Sequence, residues 1–129
     1  MATTLAEILP EAAARHAERT ALIIGDRQLS FSELEILSSK VANGLVALGV
    51  KPGERVSLFG GNSWEWMVAY HGIAKTGAVL NPLSSMLTTD ELRYTIRDAG
   101  ARVVVAASDK TEQLLGLRAD GTIAHLVSW

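Results

Sequence analysis

The run from Lys51 to Pro82, KPGERVSLFGGNSWEWMVAYHGIAKTGAVLNP, constrains the fold more than any other part of the chain. Lys51-Pro52-Gly53-Glu54 is turn chemistry, with φ fixed at Pro52 and free to turn positive at Gly53. Arg55 to Phe59 is short, β-prone and mostly apolar, as in a strand covered on both faces. Gly60-Gly61 reverses the chain without a Cβ penalty, and Asn62 or Ser63 caps a helix, with Glu65 a capping-box partner for Asn62. Trp66, Met67, Tyr70, Ile73 and Ala74 fall on one helical stripe. Gly77 closes that helix, and Ala78-Val79-Leu80 begins a second strand, stopped by Pro82. Strand, helix and strand make a βαβ unit, which closes right-handed with its strands parallel.

The flanking segments repeat the alternation. Thr4 with Glu7 is a capping box, and because Pro10 cannot bond back to Ala6, the pattern predicts a first turn near 4–8 and then a helix from Pro10 to His16. Ala21 to Ile24 and Gln28 to Phe31 read as the arms of a hairpin turning at Gly25-Asp26-Arg27. Ser32 and Glu35 form a second capping box, ahead of Leu34, Leu37, Val41, Leu45 and Leu48 at helical spacing, and Gly49 ends that helix. After a loop at Leu83 to Leu87, Thr88 and Glu91 cap a helix that buries Leu92, Ile96 and Ala99 and stops at Gly100. Arg102 to Ala106 is a further parallel strand. Ser108 caps a short helix reaching Leu115 or Leu117, Asp120-Gly121 turns, and Ile123 to Val127 is a fourth strand. The pattern predicts an α/β fold: three layers around a mostly parallel, Rossmann-like sheet, preceded by an N-terminal helix and a β-hairpin.

With 129 residues the chain fits a single domain, 1–129, and 48% hydrophobic with 20% charged residues is a globular composition. A net charge of −2 without a Lys/Arg cluster argues against a nucleic-acid partner. Zero cysteines exclude disulfides, thiolate nucleophiles and cysteine-bound zinc, and fit a cytoplasmic location. No apolar run reaches the roughly 18 residues of a membrane span. The first residues lack a basic segment followed by an apolar one, and Glu7, Glu11 and Glu18 argue against a transit peptide.

Candidate chemistry is sparse. Gly60-Gly61-Asn62-Ser63 lies where a strand meets a helix, a place that attracts phosphate, yet neither the dinucleotide fingerprint nor the P-loop is present. Trp64 and Trp66 would crowd a pyrophosphate, so a structural corner is the preferred reading. His16, His71 and His125 lack metal-ligand spacing; His71 beside aromatics is read first as a helix-surface or core histidine, and second as a polar group at the sheet edge. Asp26 belongs to a turn, while Glu7, Glu35, Glu65 and Glu91 already have capping roles. Ser84, Ser85, Thr88 and Thr89 follow a strand's carboxyl end, where open α/β sheets bind ligands, although a polar loop is the preferred reading. Trp64, Trp66 and Trp129 are read as packing residues. The residues therefore supply an α/β domain without a catalytic set: no catalytic, cofactor-binding or metal residue is assigned.

Several stretches nonetheless resemble the amino-terminal part of the acyl-adenylate-forming (AMP-binding) superfamily of acyl-CoA synthetases, peptide-synthetase adenylation domains and luciferases. Leu29-Ser30-Phe31-Ser32-Glu33-Leu34 is similar to its T-Y-x-E-L, Leu48 to Val56 to L-G-V-K-P-G-D-R-V, and Asn62-Ser63-Trp64-Glu65-Trp66 to N-S-x-E-W/F. Ala74 to Val79 and Asn81-Pro82 match K-x-G-A-V and N-P, and Met86 to Leu92 looks most like the long-chain fatty acid–CoA ligase branch. The resemblance spans about Leu5 to Val105.

It implies an ATP-dependent, two-step ligase reaction through an acyl-AMP, using ATP, Mg²⁺ and CoA in the full-length family enzyme. The family's Ser/Thr/Gly-rich lysine loop, its aromatic-x-x-T-E motif, its ribose-binding Asp and its carboxy-terminal catalytic Lys have no counterpart among these residues. The chain is thus expected to be an N-terminal scaffold fragment, inactive alone and holding no cofactor, whose partner is the rest of the enzyme. Self-association through exposed apolar surface is a further expectation. A stand-alone interaction module, or a fragment of a peptide synthetase or aryl acid–CoA ligase, are the alternatives. In relatives the loop after N-P lies near the CoA nucleotide, where a basic residue helps; residues 83–89 contain no Lys or Arg.

Overall fold

Why the chain folds around its middle is visible in the alternation of two strands. The computed structural model describes residues 1–129. In β3 (Arg55–Phe59), Val56 and Leu58 point to one face of the sheet and Phe59 to the other. Strand β5 (Val103–Ala106) divides in the same way, Val103 and Val105 against Val104 and Ala106. A strand apolar on both faces needs a helical layer on each. Helices α2 (Phe31–Ala47) and α3 (Trp64–Lys75) supply Leu45, Ala69 and Ile73 on one side. Helices α4 (Thr89–Ala99) and α5 (Thr111–Ala119) supply Leu92, Ile96, Leu114 and Leu117 on the other. Each fully buried Leu or Ile contributes about 1.5–3 kcal/mol of transfer free energy.

The sheet is four-stranded and parallel, in the order β4-β3-β5-β6, with β4 at Val79–Leu83 and β6 at His125–Ser128. In the interior, Asn81 Nδ2 donates to the Oγ of fully buried Ser57 at 2.9 Å, which satisfies a polar group that would otherwise be costly to bury. An antiparallel hairpin of β1 (Thr20–Ile24) and β2 (Arg27–Ser30) turns at Gly25, whose φ is 57°. With α1 (Leu5–His16) it packs outside α2 and α3, through Leu9, Leu29, Leu34 and Val68. The expected α/β architecture, hairpin and N-terminal helix included, is thus the one observed. No helix is long and apolar enough to cross a membrane.

Several local expectations are corrected. Pro10 does not divide the first helix: α1 runs unbroken from Leu5 to His16, with Glu7 accepting from the Thr4 N–H at 3.1 Å and Leu9 and Ala13 buried. The α2 cap is Ser30 with Glu33, not Ser32 with Glu35. Both pairs fit the same S-x-x-E spacing, and hairpin register decides, because pairing with Thr20 holds Ser30 extended at the end of β2. Glu35 instead pairs with Lys75 Nζ at 2.6 Å, and Lys75 also donates to Ser39 Oγ at 2.8 Å. At α3 the cap is Ser63, accepting from the Trp66 N–H at 3.1 Å, which leaves Glu65 without a box. The same helix buries Val68, Ala69 and Gly72 beside Ile73 and Ala74, more of its circumference than one stripe, because it is pressed between the sheet, α1 and α2.

Pro82 does not stop β4. It pairs with Leu58 inside an edge strand, where its missing N–H deprives no second neighbour, and the strand continues to Leu83. Ser108 caps nothing: it opens a short 3-10 turn through Lys110, and α5 begins at Thr111 and runs to Ala119. The Thr88–Glu91 box forms as expected, and Gly100 ends α4 at a φ of 67°.

The α2–α3 contact is close because Gly72 has no side chain: a Cβ there would lie 2.6 Å from Val41 Cβ and 3.0 Å from the Ser38 carbonyl. Gly72→Ala is therefore expected to destabilise by about 1–3 kcal/mol through overpacking. Gly116→Ala on α5, where nothing lies within 4 Å, is expected to stabilise by about 0.5–1 kcal/mol through helix propensity. Urea denaturation of both variants checks the opposite signs.

Candidate functional site

A parallel α/β sheet offers a crevice where the strand order reverses. Here the chain moves outward from β3 to β4, then returns across β3 to β5, so the reversal falls between β3 and β5. The two loops that meet there are 60–63 and 107–110. Ala107 N–H donates to the Phe59 carbonyl at 2.9 Å, Trp129 N–H to Ala106 at 3.1 Å, and Ser108 N–H to the Trp129 carbonyl at 2.8 Å. These bonds tie the carboxyl ends of β3, β5 and β6 into one rim.

The Trp129 indole fills part of this crevice. A Cβ on Gly60 would lie 2.9 Å from Trp129 Cζ2 and 3.0 Å from Ala107 Cβ, so the glycine is needed for close packing. Ser63 spends its hydroxyl on the α3 cap. Gly60-Gly61-Asn62-Ser63 is therefore a packed corner in this structure.

Beside it lies the loop after β4. Ser84 Oγ accepts from the Met86 N–H at 3.3 Å, and the Thr88 hydroxyl bonds to Glu91 at 3.0 Å, so both groups serve the backbone and the α4 cap. A basic residue approaches this loop from elsewhere in the chain: Lys110 Nζ donates to the Ser85 carbonyl at 3.5 Å and stands 5.8 Å from the centre of the Phe59 ring. Gln113 Nε2 anchors the same loop through the Leu87 carbonyl at 2.8 Å. Sequence reasoning missed Lys110 because only the β4–β3–β5 order brings these loops together; its one signal was its place just after a β-strand.

The three histidines remain apart. His16 tilts on Phe31 with ring centres 5.7 Å apart, His71 meets Tyr70 edge-on at 5.1 Å, and His125 opens β6. No three His, Asp or Glu side chains converge on a point that could hold a metal ion. Burial holds the His71 imidazole below its ordinary pKa, the nearby Lys75 charge adds to that, and Glu35 opposes it.

An apolar trough of about 470 Å³ lies between α2, α3 and one face of β5 and β6, with Leu37, Val41, Leu45, Val68, Val127 and Trp129 in its wall. Lys40 and Glu65 are its only charged neighbours. Such a lining suits the packing of apolar surface; Ser128 is its one hydroxyl residue, and no histidine lines the trough beside it.

The profile of the family described as "AMP-binding enzyme" matches residues 9–127. The mitochondrial medium-chain acyl-CoA ligase ACSF2 of Mus musculus is 32% identical over 114 residues, which cover 86% of this chain and 18% of that protein. Phosphinothricin tripeptide synthetase PhsC of Streptomyces viridochromogenes is 34% identical over 102 residues, 79% of this chain and 9% of that protein. Among solved structures, the anthranilate CoA ligase AuaEII in complex with anthranoyl-AMP superposes with a TM-score of 0.91 at 30% identity, covering 98% of this chain and 25% of that one. The N-terminal domain of FACL13 from Mycobacterium tuberculosis gives 0.89 at 26% identity, with 98% and 33% covered. The chain therefore spans a fifth or less of these two curated relatives.

Two measurements probe this geometry. Gly60→Ala is expected to displace the Trp129 indole and change its fluorescence, whereas Gly61→Ala, with nothing within 4 Å, leaves it unchanged. For His71 the depressed folded pKa means that the unfolded chain takes up the proton first. Stability is full above the ordinary pKa of 6.5 and falls as pH drops below it. Urea midpoints from pH 7.5 down to about 5 are expected to decline, and His71→Asn to flatten that decline.

Proposed function

Because the chain belongs to the AMP-binding enzyme family, we propose that it is the scaffold portion of an ATP-dependent, AMP-forming carboxylic acid–CoA ligase, with a fatty acid as the substrate class. The observation that carries the CoA-ligase reading is the superposition of 98% of the chain on the anthranilate CoA ligase AuaEII at a TM-score of 0.91 and 30% identity, which also keeps an aryl acid as an alternative substrate class. A ligase acting on a fatty acid is favoured by the similarity to the long-chain-fatty-acid–CoA ligase FadD13 of Mycobacterium tuberculosis, 31% identical over 94 residues. An adenylation domain of a peptide synthetase is the second reading, supported by the likeness to PhsC.

In the proposed reaction a carboxylate oxygen attacks the α-phosphorus of ATP, the bond to pyrophosphate breaks, and an acyl-AMP forms. The CoA sulfur then attacks the acyl carbon and AMP departs. Stabilising the charge that develops at phosphorus requires aimed cations and N–H donors. This chain's residues do not fit such a duty: its acidic groups do not converge for Mg²⁺, and Lys75 is committed to Glu35 and Ser39. Nucleotide, Mg²⁺ and CoA are assigned to the rest of the enzyme. The present residues hold the parallel sheet, fix the rim at its carboxyl end and bring Lys110 to the loop after β4.

The test is ATP–pyrophosphate exchange. The 129-residue protein with ATP, Mg²⁺ and fatty acids is expected to give none. A chimera that replaces the matching portion of FadD13 with residues 1–129 is expected to give exchange that depends on a fatty acid. Robust turnover by the isolated chain, or exchange in the chimera that responds to amino acids and not to fatty acids, would overturn the reading.

A further inference from the structure

Helix α4 has two unlike faces. Leu92 and Ile96 are fully buried on its inner side. On its outer side Asp90, Arg93, Tyr94 and Arg97 form one stripe, because residues three, four and seven apart share a helix face. With Asp98 they border a shallow hollow of about 430 Å³. Tyr94 is 72% exposed there, a large aromatic side chain left mostly in water. The Arg93 guanidinium is satisfied within its own chain, by Asp90 at 2.5 Å and Asp120 at 2.9 Å. Asp90 nonetheless engages only one carboxylate oxygen and is almost fully exposed. Arg97 donates through Nε to Thr122 Oγ1 at 3.1 Å, reaches Asp120 only at 3.9 Å, and is more than half exposed.

We propose that this outer face of α4 is a docking surface for a second copy of the same chain. The stripe is complementary to itself. Laid antiparallel on its own copy, about a two-fold axis passing between Arg93 and Tyr94, it sets each Asp90 opposite the other copy's Arg97 and each Tyr94 ring opposite the other copy's Arg93. That is the reciprocal pattern of an isologous interface, in which one patch meets itself. A parallel arrangement would set Asp90 on Asp90 and Arg97 on Arg97, so charge also selects the antiparallel one. Tyrosine and arginine are the side chains that anchor interfaces, and a guanidinium over a phenol ring adds a cation–π attraction. One helix pair covers less than the roughly 1,200 Å² of a stable complex, so the association is weak and reversible. The face lies across the sheet from the apolar trough, with the layer of α4 and α5, and the proposal does not depend on the ligase-scaffold reading.

Sedimentation equilibrium of the 129-residue protein, at up to about 0.5 mM, tests this in the range where so small an interface associates. A monomer–dimer equilibrium is expected in about 50 mM NaCl, with a dissociation constant at least about tenfold higher in about 0.5 M NaCl, because exposed ion pairs are screened. Asp90→Arg alone and Arg97→Asp alone are each expected to be monomeric. An equimolar mixture of the two is expected to form a dimer, since both cross-pairs then join opposite charges. Tyr94→Ala is expected to weaken the dimer about tenfold through loss of both ring contacts. Should either charge variant fail to fold, Tyr94→Ala decides: a weakened dimer supports the surface, and an unchanged one refutes it. A monomer at every concentration leaves this face to some other protein and overturns the proposal. So do a mixture of the two folded charge variants that stays monomeric, a dimer indifferent to salt, and a dimer that Leu48→Lys in the trough dissociates while Tyr94→Ala does not. Pyrophosphate exchange bears only on the ligase reading.

Discussion

Burial of β3 on both faces is the constraint from which the rest of the structure follows. Val56, Leu58 and Phe59 are all fully withdrawn from water, and they point in alternate directions. A strand of this kind requires a helix pair above and another below. Right-handed crossovers meet that requirement with this chain order, sending α3 to one face and α4 and α5 to the other. The hairpin and α1 then cover the outer side of α2 and α3.

The same topology explains why the residues at the sheet's carboxyl end look unremarkable one by one. Parallel strands collect the loops after β3, β4 and β5 at a single rim, yet in this chain the rim is closed by packing: the indole of Trp129 rests on Gly60, and the hydroxyls of Ser63 and Thr88 are spent on helix caps. A ligase built on this scaffold would gain position from these residues and chemistry from others.

Much of the fold was legible in the sequence because periodicity records burial. The glycine corner, the βαβ unit, the Thr88 cap and the stop at Gly100 all follow from local chemistry. What escaped were choices that distant partners make. Ser30 and Ser32 carry equally good capping patterns, and only pairing with β1 distinguishes them. Pro82 looked like a terminator because its place on an outer strand is a property of the whole sheet. Glu35 looked like a cap until α3 brought Lys75 to it. The candidate site was the least legible, since Lys110 reaches Ser85 only when three strands are in order.

The Glu35–Lys75 pair is itself part of a contrast between the two helical layers. Its side chains are 28% and 11% exposed, wedged between α2 and α3. On the other layer, Arg93 and Arg97 face Asp90 and Asp120 in a network whose outer member, Asp90, is 92% exposed. Mobile ions screen exposed charges over about 8–10 Å at physiological ionic strength and reach sheltered ones poorly. Brine would thus loosen the layer of α4 and α5 while leaving the seam of α2 and α3 clasped, giving the molecule one electrolyte-sensitive flank and one indifferent to it.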